Sequence, residues 1–402
     1  MATKAEQDSQ SRVGSGDGAP GSIRGAAWIV SFGPVGAGSD GYLVRVETNA
    51  QALASLGYQV KVLEISRRSE RTTPWTNVET FPALPSIIRE QRILGPIDWL
   101  ANFRGQLALL VGLIRNRSSI RSSDVVVVEG GLLFLSFALR LFRRRSFPVF
   151  VFDLITLMSS LHRDLTPVCS LTCKLRRRIW RILEFICVRS ADVAVTGSKE
   201  DAIFLYGGRA KVVPHIVLGD TPVAEAQEVA GLVGFLGNGH VVPNREALDF
   251  IATTVLNDRR LELARCRVIG DPNGYNSRDN ERIEFIGFYK DPSPALAPVS
   301  VCCAPMDGAG GVSTKVLAYL INGKRTVSTP EAAHGIAFPP KGLWVAEREN
   351  FAEAVVAAMR SPWSPAEARA LSEWMATHHG LPALTQAWRS ALASDKRVTE
   401  RV

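Results

Sequence analysis

The chain has 402 residues, 46% hydrophobic and 21% charged, which excludes an intrinsically disordered protein and leaves room for two domains with separate cores. Its net charge of +8 is unevenly placed: 28 Lys and Arg stand against 19 Asp and Glu through Asp220, and 19 against 20 afterwards. The basic excess therefore belongs to the first half, which should meet something anionic, such as a phosphorylated acceptor, an acidic lipid surface or nucleic acid.

Residues 1–22 are rich in Gly, Ser, Asp and Gln and carry no apolar core; they read as a disordered leader, with no hydrophobic segment of a secretory signal. The longest apolar runs, Leu107–Ile114 and Gly130–Leu139, are shorter than the roughly 18–20 residues needed to cross a bilayer. The six cysteines, Cys169, Cys173, Cys187, Cys266, Cys302 and Cys303, lack zinc-site spacing and lie among apolar residues. They are expected to be buried thiols in a reducing cytoplasm, with no metal site.

Along the chain, short β-rich runs alternate with helical segments, the pattern of parallel sheets covered on both faces. Strands are expected at Ala26–Phe32, Tyr58–Ile65, Asp124–Gly130, Pro148–Asp153 and Ala191–Gly197, with Gly41–Leu56 as the first crossover helix. Val212–Pro222 reads as a linker because Pro214 and Pro222 interrupt regular structure. A second α/β series follows, with strands at Gly231–Asn238, Arg265–Gly270, Arg282–Phe288, Val299–Pro305 and Arg325–Thr329, and closing helices at Phe351–Met359, Pro365–Met375 and Pro382–Ala393. Two doubly wound units with a linker between them place a ligand cleft at the carboxyl ends of the strands.

Pro305–Ile336 is the most informative stretch. Gly308, Gly310 and Gly311 follow a strand, and Ser313 opens a helix with Lys315 in its first turn. A glycine turn before a helix exposes backbone N–H groups at the positive end of the dipole. A lysine there opposes the dipole, so a bound diphosphate explains it better than helix stability does. In the first half, Asp153 and Glu129 each end a strand facing the expected cleft, the place for a base that deprotonates or orients an acceptor. Asp153 is the stronger candidate; a carboxylate capping the next turn is the plainer alternative. His162 and His240 are weaker candidates beside loops. The loop Phe32–Tyr42 holds Gly36, Gly38 and Gly41, only a loose match to a dinucleotide fingerprint.

From Gly231 to about Gly335 the chain resembles the second domain of group 1 glycosyltransferases, especially bacterial exopolysaccharide sugar transferases. The matching pieces are GFLGN (Gly234–Asn238) with Pro243–Asn244, VIG (Val268–Gly270), FIGF (Phe285–Phe288), and APMDGAGGVSTKVLAYLINGKRTVST followed by AAHGI. The resemblance implies a GT-B fold, α/β, with two Rossmann-like domains facing a cleft: residues 23–222 for the acceptor and 223–380 for the nucleotide-sugar donor, then a terminal helix over 381–402 packing back on the first domain. It implies donor contacts at Gly237, Asn238, Gly270, Phe288, Gly310, Gly311, Val312, Ser313, Thr314, Lys315 and Tyr319, and acceptor contacts at Gly41, Tyr42 and Arg45. The family's two glutamates, eight residues apart, correspond here to Gly310 and Ala318. Their loss would lessen repulsion of an acidic donor sugar such as a uronic acid.

The implied function is transfer of a hexosyl or uronosyl group from a nucleotide sugar to a hydroxyl of a lipid-linked or growing saccharide. It needs no cofactor and no metal, because Lys315 and the glycine turn neutralise the departing diphosphate. An inactive, GT-B-shaped nucleotide-binding or scaffold protein and a sugar-nucleotide epimerase are the alternatives. Two basic segments account for the charge asymmetry: Arg140–Arg145, and the helix of Leu171–Ile186, where Lys174, Arg178 and Arg181 mark a face distinct from Leu171, Leu175, Ile179, Leu183 and Ile186. They suit an anionic membrane surface on the cytoplasmic side, or else a solvated face with the apolar side in the core. Nothing resembles a nucleic-acid-binding module.

Overall fold

The computed structural model describes residues 25–31, 41–64, 78–82, 107–129, 148–154, 171–204, 209–216, 228–239, 241–272, 275, 280–289, 291–307, 312–336 and 339–395. Two parallel sheets form the molecule. The first contains β1 (Gly25–Ser31), β2 (Tyr58–Glu64), β3 (Val78–Pro82), β4 (Val125–Glu129), β5 (Val149–Leu154), β6 (Val193–Thr196) and β7 (Lys211–Val212) in the order 3-2-1-4-5-6-7. The second contains β8 (Leu232–Leu236), β9 (Arg265–Ile269), β10 (Ile283–Phe285), β11 (Val301–Ala304), β12 (Thr326–Ser328) and β13 (Leu343–Val345) in the order 10-9-8-11-12-13. Each reverses its strand order beside its first strand, the topology that opens a crevice for ligands. The central strands are continuous apolar runs because helices cover both faces: every residue of β4 and β5 is buried.

One face of the first sheet carries α1 (Gly41–Ser55). The other carries α2 (107–115), α3 (Arg117–Arg121) and α4 (Leu171–Ser190), with α5 (Lys199–Phe204) following β6. In the second unit, α6 (Val242–Phe250) continues through a π-helical turn, and α7 (Ser293–Leu296), α8 (Thr314–Ile321), α9 (Phe351–Arg360) and α10 (Pro365–His379) follow. The start of α10 is fixed by a capping box, with the Ser364 hydroxyl accepting from the Glu367 N–H and Glu367 accepting from the Ser364 N–H.

The chain then returns. In α11 (Leu381–Leu392), Leu384, Trp388, Ala391 and Leu392 join the apolar core that α1 forms with the first sheet. Val213 and Ile216 belong to the same core, so the start of the expected linker is packed chain; 217–227 lie outside the described residues. Four of the six cysteines, Cys187, Cys266, Cys302 and Cys303, are buried free thiols, and burial pushes Cys187 and Cys266 up to about 12. Among the described residues no helix is long and apolar enough to cross a membrane.

A candidate donor site and a sealed carboxylate cluster

The second unit brings most of the expected donor residues to the carboxyl ends of β8, β9, β10 and β11. Gly237 follows β8, and its N–H donates to the Ile269 carbonyl at 3.1 Å. A Cβ on Gly270 would collide with the Gly237 carbonyl, and a Cβ on Gly237 would meet Asn244 and the Phe235 ring at 2.8 Å. These two glycines let neighbouring strand ends approach closely. Asn238 holds the turn: its side-chain oxygen accepts from the Asp271 N–H at 2.8 Å, and its carbonyl accepts from Asn244 Nδ2 at 3.1 Å. Phe288 stands 55% exposed at the rim, after Gly287 at φ +86°.

Helix α8 points its amino end into this crevice. Ser313 is the N-cap residue with an extended backbone, and no acidic residue occupies the first turn. The first intrahelical bond among these residues runs from the Leu317 N–H to the Ser313 carbonyl, which leaves the N–H groups of the first turn open to an anion. Lys315 Nζ donates to Asn244 Oδ1 at 2.7 Å, lies 3.4 Å from Met306 Sδ and sits 4.7 Å from the centre of the Phe235 ring. No carboxylate balances it in these contacts, and burial lowers the Lys315 ammonium from its ordinary value to about 7. The chain thus holds a half-buried amine beside a helix amino terminus.

Several expected contacts have other tasks. The Tyr319 hydroxyl accepts from the Leu236 N–H at 2.6 Å and faces the Cys303 carbonyl at 3.5 Å, and the side chain is fully buried. It anchors the end of β8 from beneath the crevice, where its hydroxyl is already engaged by the backbone, which speaks against the expected direct donor contact. Val312 packs between the two units: a Cβ on Gly197 would lie 3.3 Å from its Cγ2, and one on Gly335 (φ +81°) would collide with it. Thr314 opens α8. Gly310 and Gly311 lie outside the described residues.

The largest correction concerns Asp153, Glu129 and Arg45. Asp153 and Glu129 are side by side at the ends of β5 and β4, where the sequence placed them, but both are completely buried. Arg45 grips Asp153 with two bonds, Nε to Oδ2 at 2.9 Å and Nη2 to Oδ1 at 3.0 Å, and its Nη1 donates to the carbonyls of Val213 and Pro214 at 2.8 Å each. Asn49 Nδ2 donates to Asp153 at 2.7 Å and to Glu129 at 3.1 Å, and Trp388 Nε1 of α11 donates to Asn49 Oδ1 at 2.9 Å. Burial, and next the Asp153 charge, raises Glu129 well above the usual carboxylate range. Both acids and the Arg45 guanidinium thus spend the hydrogen bonds seen among the described residues on the protein itself. Gly41 opens α1, and the Tyr42 side chain lies outside the described residues, as do His162 and His240.

Residues without an assigned role in the sequence complete the cleft. Arg348 braces the loop after β11 through Asp307 (2.8 Å) and the Pro305 carbonyl (3.1 Å). Between the units, His334 Nε2 lies 3.0 Å from the Ser198 hydroxyl and 3.6 Å from Asp201 Oδ1. Ser198 also accepts the Asp201 N–H and so caps α5. These contacts join residues following β6 to residues following β12, so the carboxyl ends of the two sheets face each other. A separate cavity of about 380 Å³ is lined by Glu228, Arg260, Ser300, Arg325 and Arg360 on the opposite, amino-end side of the second sheet. Arg325 is occupied there by Glu228 and the carbonyls of Ser300, Ala358 and Ser361.

Asp201 raises His334 above its ordinary value. A histidine raised on folding adds stability below its unfolded pKa of about 6.5, and that stability is lost as pH rises through the folded value. NMR titration of His334 should give a midpoint above about 6.5 that Asp201→Asn moves down. The stability difference between wild type and that variant should shrink as the solution becomes alkaline. A midpoint unaffected by Asp201→Asn would show that the ion pair does not form.

Comparison with known families agrees with this geometry. Residues 230–361 match the family described as glycosyl transferases group 1. They form a group 1 glycosyltransferase domain. No curated protein is found as a sequence relative. Among solved structures, sucrose-phosphate synthase from Thermosynechococcus elongatus aligns at 13% identity and TM-score 0.65, over 92% of this chain and all of that one. WaaG, a glycosyltransferase involved in lipopolysaccharide biosynthesis, aligns at 14% and 0.58, over 91% and 99%. Anabaena HepE in complex with UDP and glucose aligns at 12% and 0.58, over 92% and 100%. At these identities the shared property is the fold, and the two units together have the GT-B architecture.

Proposed function

We propose that this glycosyltransferase moves a hexosyl or uronosyl group from a nucleotide sugar to a hydroxyl of a lipid-linked or growing saccharide, working on the cytoplasmic side of a membrane. The observation that carries the reading is Lys315, half-buried beside the amino end of α8 and held by Asn244, Met306 and Phe235. Negative charge grows on the diphosphate as the glycosidic bond breaks. A cation and oriented N–H groups already in place stabilise that charge without reorganising. Gly237 and Gly270 bring the strand ends that floor the crevice close together, and exposed Phe288 offers a ring for the nucleotide's base to stack on. HepE binds UDP and glucose, the class of ligand the crevice would take. With Asp153 and Glu129 sealed in the core, neither serves as the base.

Because Lys315 and α8 supply the positive charge, transfer from a nucleotide-sugar panel to saccharide acceptors should persist in EDTA. Activity lost with chelator and restored by magnesium or manganese would overturn this assignment. One observation favours a second reading: Ala318 is buried on α8, so no carboxylate reaches a ribose from that position. Tight nucleotide binding with neither hydrolysis nor transfer of any donor would establish a binding protein of the same shape.

A further inference from the structure

Helix α4 is built the wrong way round for a helix whose only task is to cover a sheet. Its buried side is Glu184, Cys187 and Val188, with Trp180 partly covered. Three residues of the expected apolar face point outward, Leu175 at 58% exposure, Ile179 at 48% and Leu183 at 38%, joined by Ile182 at 57%, while Ile186 is half-buried. At 100° per residue, Leu175, Ile179, Ile182 and Ile186 fall in one stripe along the exposed side. Lys174, Arg178, Arg181 and Arg189, all exposed, fall in a second stripe directly beside it. Helix α5 flanks the basic stripe on its other side with Ile203, 72% exposed, and Phe204, whose ring lies 4.7 Å from the Arg181 guanidinium.

We propose that this face of α4 and α5 inserts into the headgroup region of an anionic bilayer, with Leu175, Ile179, Ile182 and Ile203 entering the lipid and Lys174, Arg178 and Arg181 meeting its phosphates. An exposed apolar stripe of this size calls for a partner. The adjoining basic stripe decides which one: it would repel the same stripe on a second copy and attracts an acidic lipid surface. The basic excess of the first half of the chain has the same sign. A helix of 20 residues spans about 30 Å, long enough to lie flat along an interface. Since α4 leads into β6, its amino end lies toward the carboxyl ends of the strands, so Lys174 and Leu175 are at the cleft side of the docking face. A lipid-linked acceptor would therefore enter the cleft from the membrane plane. This inference rests on the lipid-linked acceptor proposed above only for that last step.

The test is flotation of the full chain with phosphatidylcholine vesicles, with and without phosphatidylglycerol. Wild type should float with the anionic vesicles and dissociate in high salt. Each basic residue at such a surface strengthens binding about fivefold, so Lys174→Gln/Arg178→Gln should weaken it about 25-fold. Ile179→Glu/Ile182→Glu should weaken it by at least about tenfold, while Ile179→Leu/Ile182→Leu restores it. All four side chains are exposed, and thermal melts should be unchanged. Binding indifferent to lipid charge and to both double variants would overturn the proposal. So would a self-association of the chain, seen by sedimentation, that Ile179→Glu/Ile182→Glu abolishes, because the face would then belong to a second copy. Vesicle binding without transfer would count against the enzymatic reading alone; transfer to a soluble acceptor without vesicle binding would count against the docking face alone.

Discussion

Replacing Arg45 by methionine should destabilise the N-terminal unit by about 3–5 kcal/mol, the cost of leaving a buried charge without its partner. For a domain of this size the melting temperature should fall by about 6–20 °C. The change strands Asp153, which is fully buried and keeps only uncharged help from Asn49 and Glu129 among the described residues, and frees two carbonyls at 213–214 that Arg45 satisfies. Asp153→Asn should cost a similar amount by stranding Arg45. The two losses together should be smaller than their sum, since the second change removes a charge already unpaired. Glu129→Gln goes the other way. The folded chain keeps a proton on Glu129 that the unfolded chain releases above the ordinary value of 4.5, so stability declines as pH rises through the window between them. Glutamine cannot titrate, and the variant should gain on wild type as pH rises. Urea unfolding followed by tryptophan fluorescence checks each expectation. A catalytic Asp153 would give the contrary pattern, an Asp153→Asn enzyme of normal stability with turnover lost.

That contrast shows what can be read in a sequence of this kind. The central strands were legible because a buried parallel strand is a continuous apolar run, as in Val125–Val128, and because glycine turns punctuate the second unit. The short strands β3, β7 and β13 were missed, since five, two and three residues at sheet edges carry little periodicity. Asp153 and Glu129 stand at the strand ends where the sequence put them, but in a buried network that the sequence did not foretell. A carboxylate at a strand end reads the same whether it faces a substrate or a core. The deciding groups are Arg45, 108 residues away from Asp153, and Trp388, 339 residues from the Asn49 it holds. In α4 the spacing of Leu175, Ile179 and Leu183 revealed a face but not which face the sheet would cover. Lys315 was legible because its environment is local: a strand, a glycine turn and the first turn of a helix lie consecutively in the chain. Its partner Asn244 lies 71 residues earlier and had no role until the fold brought it there.

Lys315→Met should weaken nucleoside diphosphate binding by about 1.5–3 kcal/mol, the usual worth of a charged hydrogen bond, or roughly tenfold to more than a hundredfold in dissociation constant. The pH dependence makes the expectation specific. In the empty site burial holds the ammonium at about 7, and an adjacent diphosphate must raise it, because an opposite charge at close range favours the protonated amine. Binding therefore takes up a proton once the solution is more alkaline than the empty site. Affinity should be level below about pH 7 and fall by up to about tenfold for each further pH unit, until the pKa of the complex is reached. Calorimetry in buffers of different ionisation enthalpy should register up to about one proton taken up per nucleotide at pH 8. In Lys315→Met both the uptake and the alkaline decline should disappear, while weaker binding by the amino end of α8 persists. The helix is packed through Val316, Leu317 and Leu320, so the substitution leaves its core contacts in place. An alkaline decline that survives in Lys315→Met would assign the titrating group elsewhere, and an unchanged dissociation constant with the fold intact would remove Lys315 from the donor site.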